Sequence, residues 1–271
     1  MKKTTAFCGL SAALVLAWNA AAAAATPTLS ATEIVNRNVA ARGGLQAWRA
    51  VRTLSWAGQM EAGGNNQRAL HLPGTPPVPP ADKPAAQVKL PFVMELARTR
   101  KSRLEIEFAG QTAVQVYDGE RGWKLRPFLN RHEVEPFTTA ELAAAGTQSD
   151  LDGALMDYAA KGTRVDVEGI DAVEGRDAYR LRLTLKNKHV VHTWIDAQTF
   201  LEVKLEGMPR KLDGKQHPVS IFLRDYRTVA GLKVPYVIET VVQGVPRTEK
   251  IEIEKVLVNP QLDEHRFSKP T

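Results

Sequence analysis

The chain has 271 residues, a formal net charge of +6 and a single cysteine, Cys8. That length buries a sizeable core, and one all-β domain of this size is ordinary. Without the two lysines of the N-terminal segment, Lys2 and Lys3, 34 basic residues stand against 30 acidic ones, a net charge of +4. These charges are interspersed rather than gathered into a block, which argues against nucleic acid as a partner.

Residues 1–25 have the layout of a secretory signal peptide. Lys2 and Lys3 form a basic start, an apolar run follows from Ala6 to Trp18, and an alanine tract ends at Ala23-Ala24-Ala25. The run is shorter than the ~20 residues a membrane span needs. Cys8 follows Phe7 and precedes most of the apolar run, so no lipid anchor is expected. The mature chain, 26–271, would hold no cysteine, which excludes disulfides and cysteine-based metal sites. The expected compartment is a periplasm.

Ser30-Ala-Thr-Glu33 is a capping box ahead of Ile34, Val35 and Val39, and Gly43-Gly44 ends the helix it starts. A short turn, Leu45–Val51, carries Trp48. Leu54–Met60 alternates as a strand. Residues 61–90 break the pattern and hold six of the sixteen prolines. Such a stretch is either a solvated insertion or a functional loop, and the plainer reading is the insertion.

Strands resume at Phe92–Arg98 and Arg103–Phe108. Gln111–Pro127 reads as a hairpin, with Asp118-Gly119 opening the turn and Trp123 and Leu125 sharing a face. Thr138-x-x-Glu141 caps an alanine-rich helix ending at Gly146, and Ser149–Lys161 follows as a helix or a tight loop. From Thr163 onward the chain is nearly continuous strand with short turns, an antiparallel meander. The predicted fold class is mainly β: a single curled antiparallel sheet, an unclosed barrel of roughly eleven strands covered by short helices.

No nucleophile elbow, phosphate loop, dinucleotide fingerprint or zinc-protease helix motif occurs in the chain. Asp118, Asp196 and Asp213 sit where a turn-forming aspartate is the default. Trp48, Trp56, Trp123 and Trp194 could line a cavity, although core filling is the plainer reading. No enzyme, no cofactor and no metal is therefore expected. A curled sheet with an apolar inner face encloses room for a hydrophobic ligand.

Three motifs carry a resemblance. Tyr117-Asp118-Gly119-x-x-x-Trp123 resembles the D-G-x-x-x-W hairpin of the LolA-like bacterial carriers, the outer membrane lipoprotein-sorting proteins. Trp194-Ile195-Asp196-Ala197-x-Thr199 and the closing Asn259-Pro260-x-Leu262-Asp263-x-x-x-Phe267-x-x-Pro270 are similar to the family's later segments. The match in order spans most of residues 30–270.

The resemblance implies a periplasmic, unclosed β-barrel that acts as a monomer. In that family the cavity takes lipid or lipoprotein acyl chains, passed from an inner-membrane release complex to an outer-membrane acceptor. It also implies a lid-closure arginine, for which Arg98 and Arg100 are the candidates, although the family's flanking Lys and Pro are missing here. The second function weighed is a regulatory binding module of the same fold, an envelope-stress sensor.

The period of two assigns Leu104, Ile106, Phe108, Trp123, Leu181, Leu183, Leu201 and Val203 to the concave ligand face. It assigns Arg103, Glu105, Glu107, Lys124, Arg180, Arg182, Glu202 and Lys204 to water.

Overall fold

The computed structural model describes residues 29–63, 87–127, 130–212 and 214–271. The expected signal peptide with Cys8, most of the proline-rich insertion, and Asp213 lie outside the described residues.

Two helices open the described chain, α1 (Ala31–Ala41) and α2 (Leu45–Ala50). Six strands follow: β1 (Thr53–Gly63), β2 (Gln87–Ala97), β3 (Lys101–Phe108), β4 (Gln111–Tyr117), β5 (Gly122–Arg126) and β6 (Arg131–Pro136). Helix α3 (Thr139–Gln148) leads through turns into β7 (Arg164–Val173), β8 (Arg176–Thr184), β9 (Val190–Asp196), β10 (Glu202–Leu212), β11 (Lys215–Val229), β12 (Leu232–Val242) and β13 (Glu249–Val258). A short 3-10 helix, Glu264–Phe267, closes the chain.

The thirteen strands form one antiparallel sheet in the order β6-β5-β4-β3-β2-β1-β13-β12-β11-β10-β9-β8-β7. The two ends of the chain meet at its centre, where β1 pairs with β13. β6 and β7 are the two edges, so the sheet is not closed.

Thirteen strands replace the eleven expected. Arg131–Pro136 gives no strand signal in the sequence, since Arg-His-Glu-Val-Glu-Pro has no apolar–polar alternation. β1 and β2 also run into the stretch assigned to the insertion, ending at Gly63 and starting at Gln87. Ser149–Lys161 takes the tight-loop form rather than the helical one.

Both capping boxes form. Ser30 Oγ accepts from Glu33 N while Ser30 N donates to the Glu33 carboxylate, and Thr138 and Glu141 repeat the exchange. Each such cap is worth about 1 kcal/mol.

The helices share one face of the sheet. Trp48 of α2, with Val51, Leu151 and Met156, packs on Leu54, Phe92, Leu96, Leu232, Val234 and Ile253. Ile34 and Val35 of α1, with Leu155, pack on Tyr179, Leu181, Leu183 and Ile195. The opposite, outer face carries the ion pairs of β7–β9, such as Arg180 with Glu168 and Asp171. There the C-terminal segment buries Phe267 and links Arg266 to Glu95 and Glu105.

Candidate ligand-binding face

Cross-strand partners share a face, so the register sorts the expected ligand residues. Leu104 pairs with Met94 and Met94 with Trp56, while Ile106 pairs with Phe92. All of these stand on the helix face. A third row runs from Leu90 through Met60 and Ile251 to Ile238. Trp56, Met60, Met94, Leu104, Ile106, Ile238 and Ile251 are only half-buried, although they adjoin the core. Apolar side chains thus continue along this face beyond the core the helices cover.

Leu181 and Leu183 are on the same face but are 0% and 1% exposed, under α1. They are packed core beneath that helix. Phe108 has the parity of Leu104 but sits at the strand end, 42% exposed. Leu201 is half-buried just before β10 and belongs to none of the buried clusters of the described residues.

Trp123 and Val203 are corrections. Val116 pairs with both Arg103 and Trp123, which puts Trp123 on the outer face. The four-residue turn 118–121 sets this parity: Asp118 Oδ1 accepts from Glu120 N at 2.8 Å and Arg121 N at 2.7 Å, and Tyr117 pairs with Gly122. Val203 is the extra residue of a bulge. Glu202 pairs with Ile195 and Lys204 with the adjacent Trp194, so Val203 turns outward to Val173, Ala178 and Trp194.

Two charged residues assigned to water are consequently inside. Lys124, on the helix face opposite Gln115, is 8% exposed and donates to Glu141 of α3 at 2.5 and 2.7 Å. Glu202, also 8% exposed, lies 3.4 Å from Arg42 at the end of α1. Arg103, Glu105, Arg180, Arg182 and Lys204 do stand on the outer face. Lys204 lies over the Trp194 ring at 4.2 Å.

A polar cluster joins the segment after α3 to the rest of the helix layer. Arg98 donates to the carbonyls of Val51 and Trp48 and meets Asp152 Oδ2 at 2.7 Å. Arg42 donates to the Asp152 carbonyl, and Lys161 bridges Asp150 and Asp152. Burial opposes the Asp152 carboxylate, but Lys161 and Arg98 outweigh it and hold its pKa below the usual range. Burial dominates at neighbouring Asp150 and pushes its pKa up. Burial raises the Tyr226 phenol as well, whose hydroxyl donates to the Glu202 carbonyl at 2.9 Å. Arg100, the other lid-closure candidate, is exposed in the β2–β3 turn with φ 63°.

Two cavities open on the outer face. One of about 270 Å³ is lined by Glu168, His192, Trp194 and Glu206. The other, about 520 Å³, lies between Lys101, Asp118, Trp123 and the C-terminal Glu264 and Phe267. Neither separates the sheet from its helices. Among the described residues, no cluster of His, Asp and Glu has the makings of a metal site.

No family model matches the chain, and no curated protein matches it in sequence. Solved structures do share its fold. A LolA superfamily protein from Nitrosomonas europaea aligns over 89% of this chain and 99% of its own, with a TM-score of 0.56 at 12% identity. A DUF1329 family protein from Desulfovibrio piger aligns over 88% and 97%, with a TM-score of 0.57 at 11% identity. A protein described as a putative outer membrane lipoprotein-sorting protein domain, from Vibrio parahaemolyticus, aligns over 88% and 95%, with a TM-score of 0.54 at 12% identity. These likenesses identify the architecture as that of the LolA-like fold.

Proposed function

We propose that the protein is a periplasmic carrier that holds the acyl chains of a lipid or lipoprotein against the helix face of its sheet and performs no covalent chemistry. One observation carries this reading: the rows of half-buried apolar side chains, Trp56–Met94–Leu104 and Met60–Ile251–Ile238, on the side where a packed protein would bury them fully. A contiguous apolar surface that stays partly open to water supports a binding site there. The Trp56 indole N–H adds to it, being buried with no acceptor among the described residues. An unmet donor in such surroundings costs about 1–3 kcal/mol.

The fold shared with a lipoprotein-sorting domain supports the same reading. Leu104 and Ile106 remain in the proposed site, joined by Trp56, Met60, Met94, Ile238 and Ile251. Leu181 and Leu183 leave it because α1 already covers them. Arg98, through Asp152, is the proposed residue that holds the helical cover in place.

Native mass spectrometry of protein taken from a bacterial periplasm, together with uptake of a fluorescent acyl probe, tests the proposal. Co-purified lipid and saturable uptake are expected. A lipid-free protein that takes up no probe overturns it.

A further inference from the structure

Arg210 and Glu249 form a bidentate ion pair, Nη1 to Oε1 and Nη2 to Oε2, both at 2.5 Å. The pair joins β10 to β13 across two intervening strands. At the usual strand spacing that is about 14 Å of sheet, more than extended Arg and Glu side chains bridge over a flat surface. The β10–β11 hairpin must therefore curl toward the side where the pair lies. Glu249 has the parity of Ile251, so that side is the helix face. The ion pair spans the sheet next to the row Met60–Ile251–Ile238.

The hairpin that delivers Arg210 is basic and partly apolar. Arg210, Lys211 and Lys215 lie within it, and Asp213 is the single acid in the sequence from Gly207 to His217. Met208, next to these bases, is 56% exposed. The Arg210 side chain is 40% exposed and that of Glu249 29%, so an incoming anion has access to the guanidinium. The pair is partly open to water, which screens it and lets a competing anion exchange with the carboxylate. The planar fork that accepts a carboxylate also matches two oxygens of a phosphate.

Resting on the carrier reading, we propose that this ion pair is a head-group site: the phosphate ester of a bound lipid displaces Glu249 from Arg210, with Lys215, which shares the face of Arg210, adding charge, while its acyl chains lie along Met60, Ile251 and Ile238. The protein thereby selects phosphate-bearing lipids over uncharged ones of equal chain length. Glu249 acts as the competitor that the phosphate replaces.

The test compares two probes with the same fluorescent acyl chain, a phosphatidylglycerol and a diacylglycerol, on the full mature chain. Wild type should bind the phosphatidylglycerol about tenfold more tightly, the scale of one charge-assisted contact. Arg210→Gln should bring that ratio close to one. Glu249→Gln should raise it, since the competing carboxylate is gone. Arg164→Gln, an exposed arginine on the outer face, should leave the ratio as it is.

Equal binding of both probes by wild type, or a ratio that survives Arg210→Gln, overturns the head-group site and leaves the carrier reading standing. Loss of both probes in parallel in the two variants assigns the pair a purely structural part and also overturns it. Displacement of the phosphatidylglycerol by millimolar inorganic phosphate overturns the assignment to lipid. Uptake of neither probe by wild type removes the carrier reading and the inference together.

Discussion

Arg98, at the end of β2, reaches Asp152 in the segment after α3 with its Nη2 2.7 Å from Oδ2, while the same guanidinium donates to the carbonyls of Val51 and Trp48. One side chain thus ties the C-terminal end of α2 to the loop that carries Leu151, Leu155 and Met156 over the sheet. Asp152 is 3% exposed, so its charge depends on such partners.

Replacing Arg98 with Ala should loosen that loop. Lys161 still meets Asp152, so the carboxylate is not left bare. Loss of one partner of a mostly buried pair then costs about 2–3 kcal/mol, below the 3–5 expected when a buried charge is stranded. Hydrogen exchange should rise across 149–162 before it rises in β8 and β9. Arg100→Ala, in the exposed turn, should leave both exchange and stability within about 0.5 kcal/mol of wild type. Equal effects from the two variants would contradict the assignment.

Acid should act on the same cluster with a sign set by two carboxylates of opposite tendency. The Asp152 pKa is held down in the folded protein, so its contribution is present above the ordinary aspartate value of about 4 and is lost as the pH falls through the lower folded value. The Asp150 pKa is raised, so its charged form opposes folding at neutral pH and that opposition is relieved on acidification. Melting curves from pH 7 down to pH 3 should show wild type losing stability below about pH 4. Asp152→Asn should melt lower at pH 7 with a flatter acid limb, and Asp150→Asn should steepen that limb. A steeper limb in Asp152→Asn is the contrary result.

Gly58 sits at the bulge where β1 pairs with β13, and a Cβ there would stand 2.0 Å from the Glu252 carbonyl oxygen. Backbone offers no flexible end to move aside. Gly58→Ala should therefore force the two central strands apart and cost about 1–3 kcal/mol, as overpacking does. Urea unfolding reads this directly. A midpoint equal to that of wild type would show that the bulge tolerates a side chain.

Much of this architecture is legible in the sequence because its signals are local. Ser30 with Glu33 and Thr138 with Glu141 announce two helices, and the alternations of Arg103–Phe108 and of Tyr179, Leu181, Leu183 and Leu185 announce strands. Which face each strand shows is another matter, since parity passes through every turn and bulge. Leu104 and Trp123 look alike as apolar members of alternating runs, yet the Asp118 turn places them on opposite sides. The bulge at Val203 reverses the order again and sends Glu202 to meet Arg42. The Arg210–Glu249 contact was out of reach for a further reason: the residues are 39 apart in sequence and three strands apart in the sheet, with no periodicity linking them.

The two faces give the sharpest test of the proposed site. Leu104 is half-buried beside Met94 and Trp56, so Leu104→Arg would place a charge in the path of an acyl chain while leaving it room to reach water. It should remain folded, melt cooperatively within about 1–2 kcal/mol of wild type, and lose acyl-probe uptake at least tenfold through the cost of an unpaired charge in an apolar groove. Trp123→Ala removes a large aromatic from the outer face, near Phe267, and should destabilise the C-terminal segment without changing uptake. Leu183→Arg differs from both. At 1% exposure under Ile34 and Val35 it has no path to solvent, so it should abolish folding altogether. Circular dichroism separates that outcome from a simple binding defect. A folded Leu104→Arg protein with wild-type uptake, or a Trp123→Ala protein that has lost it, would move the ligand from the helix face to the outer one.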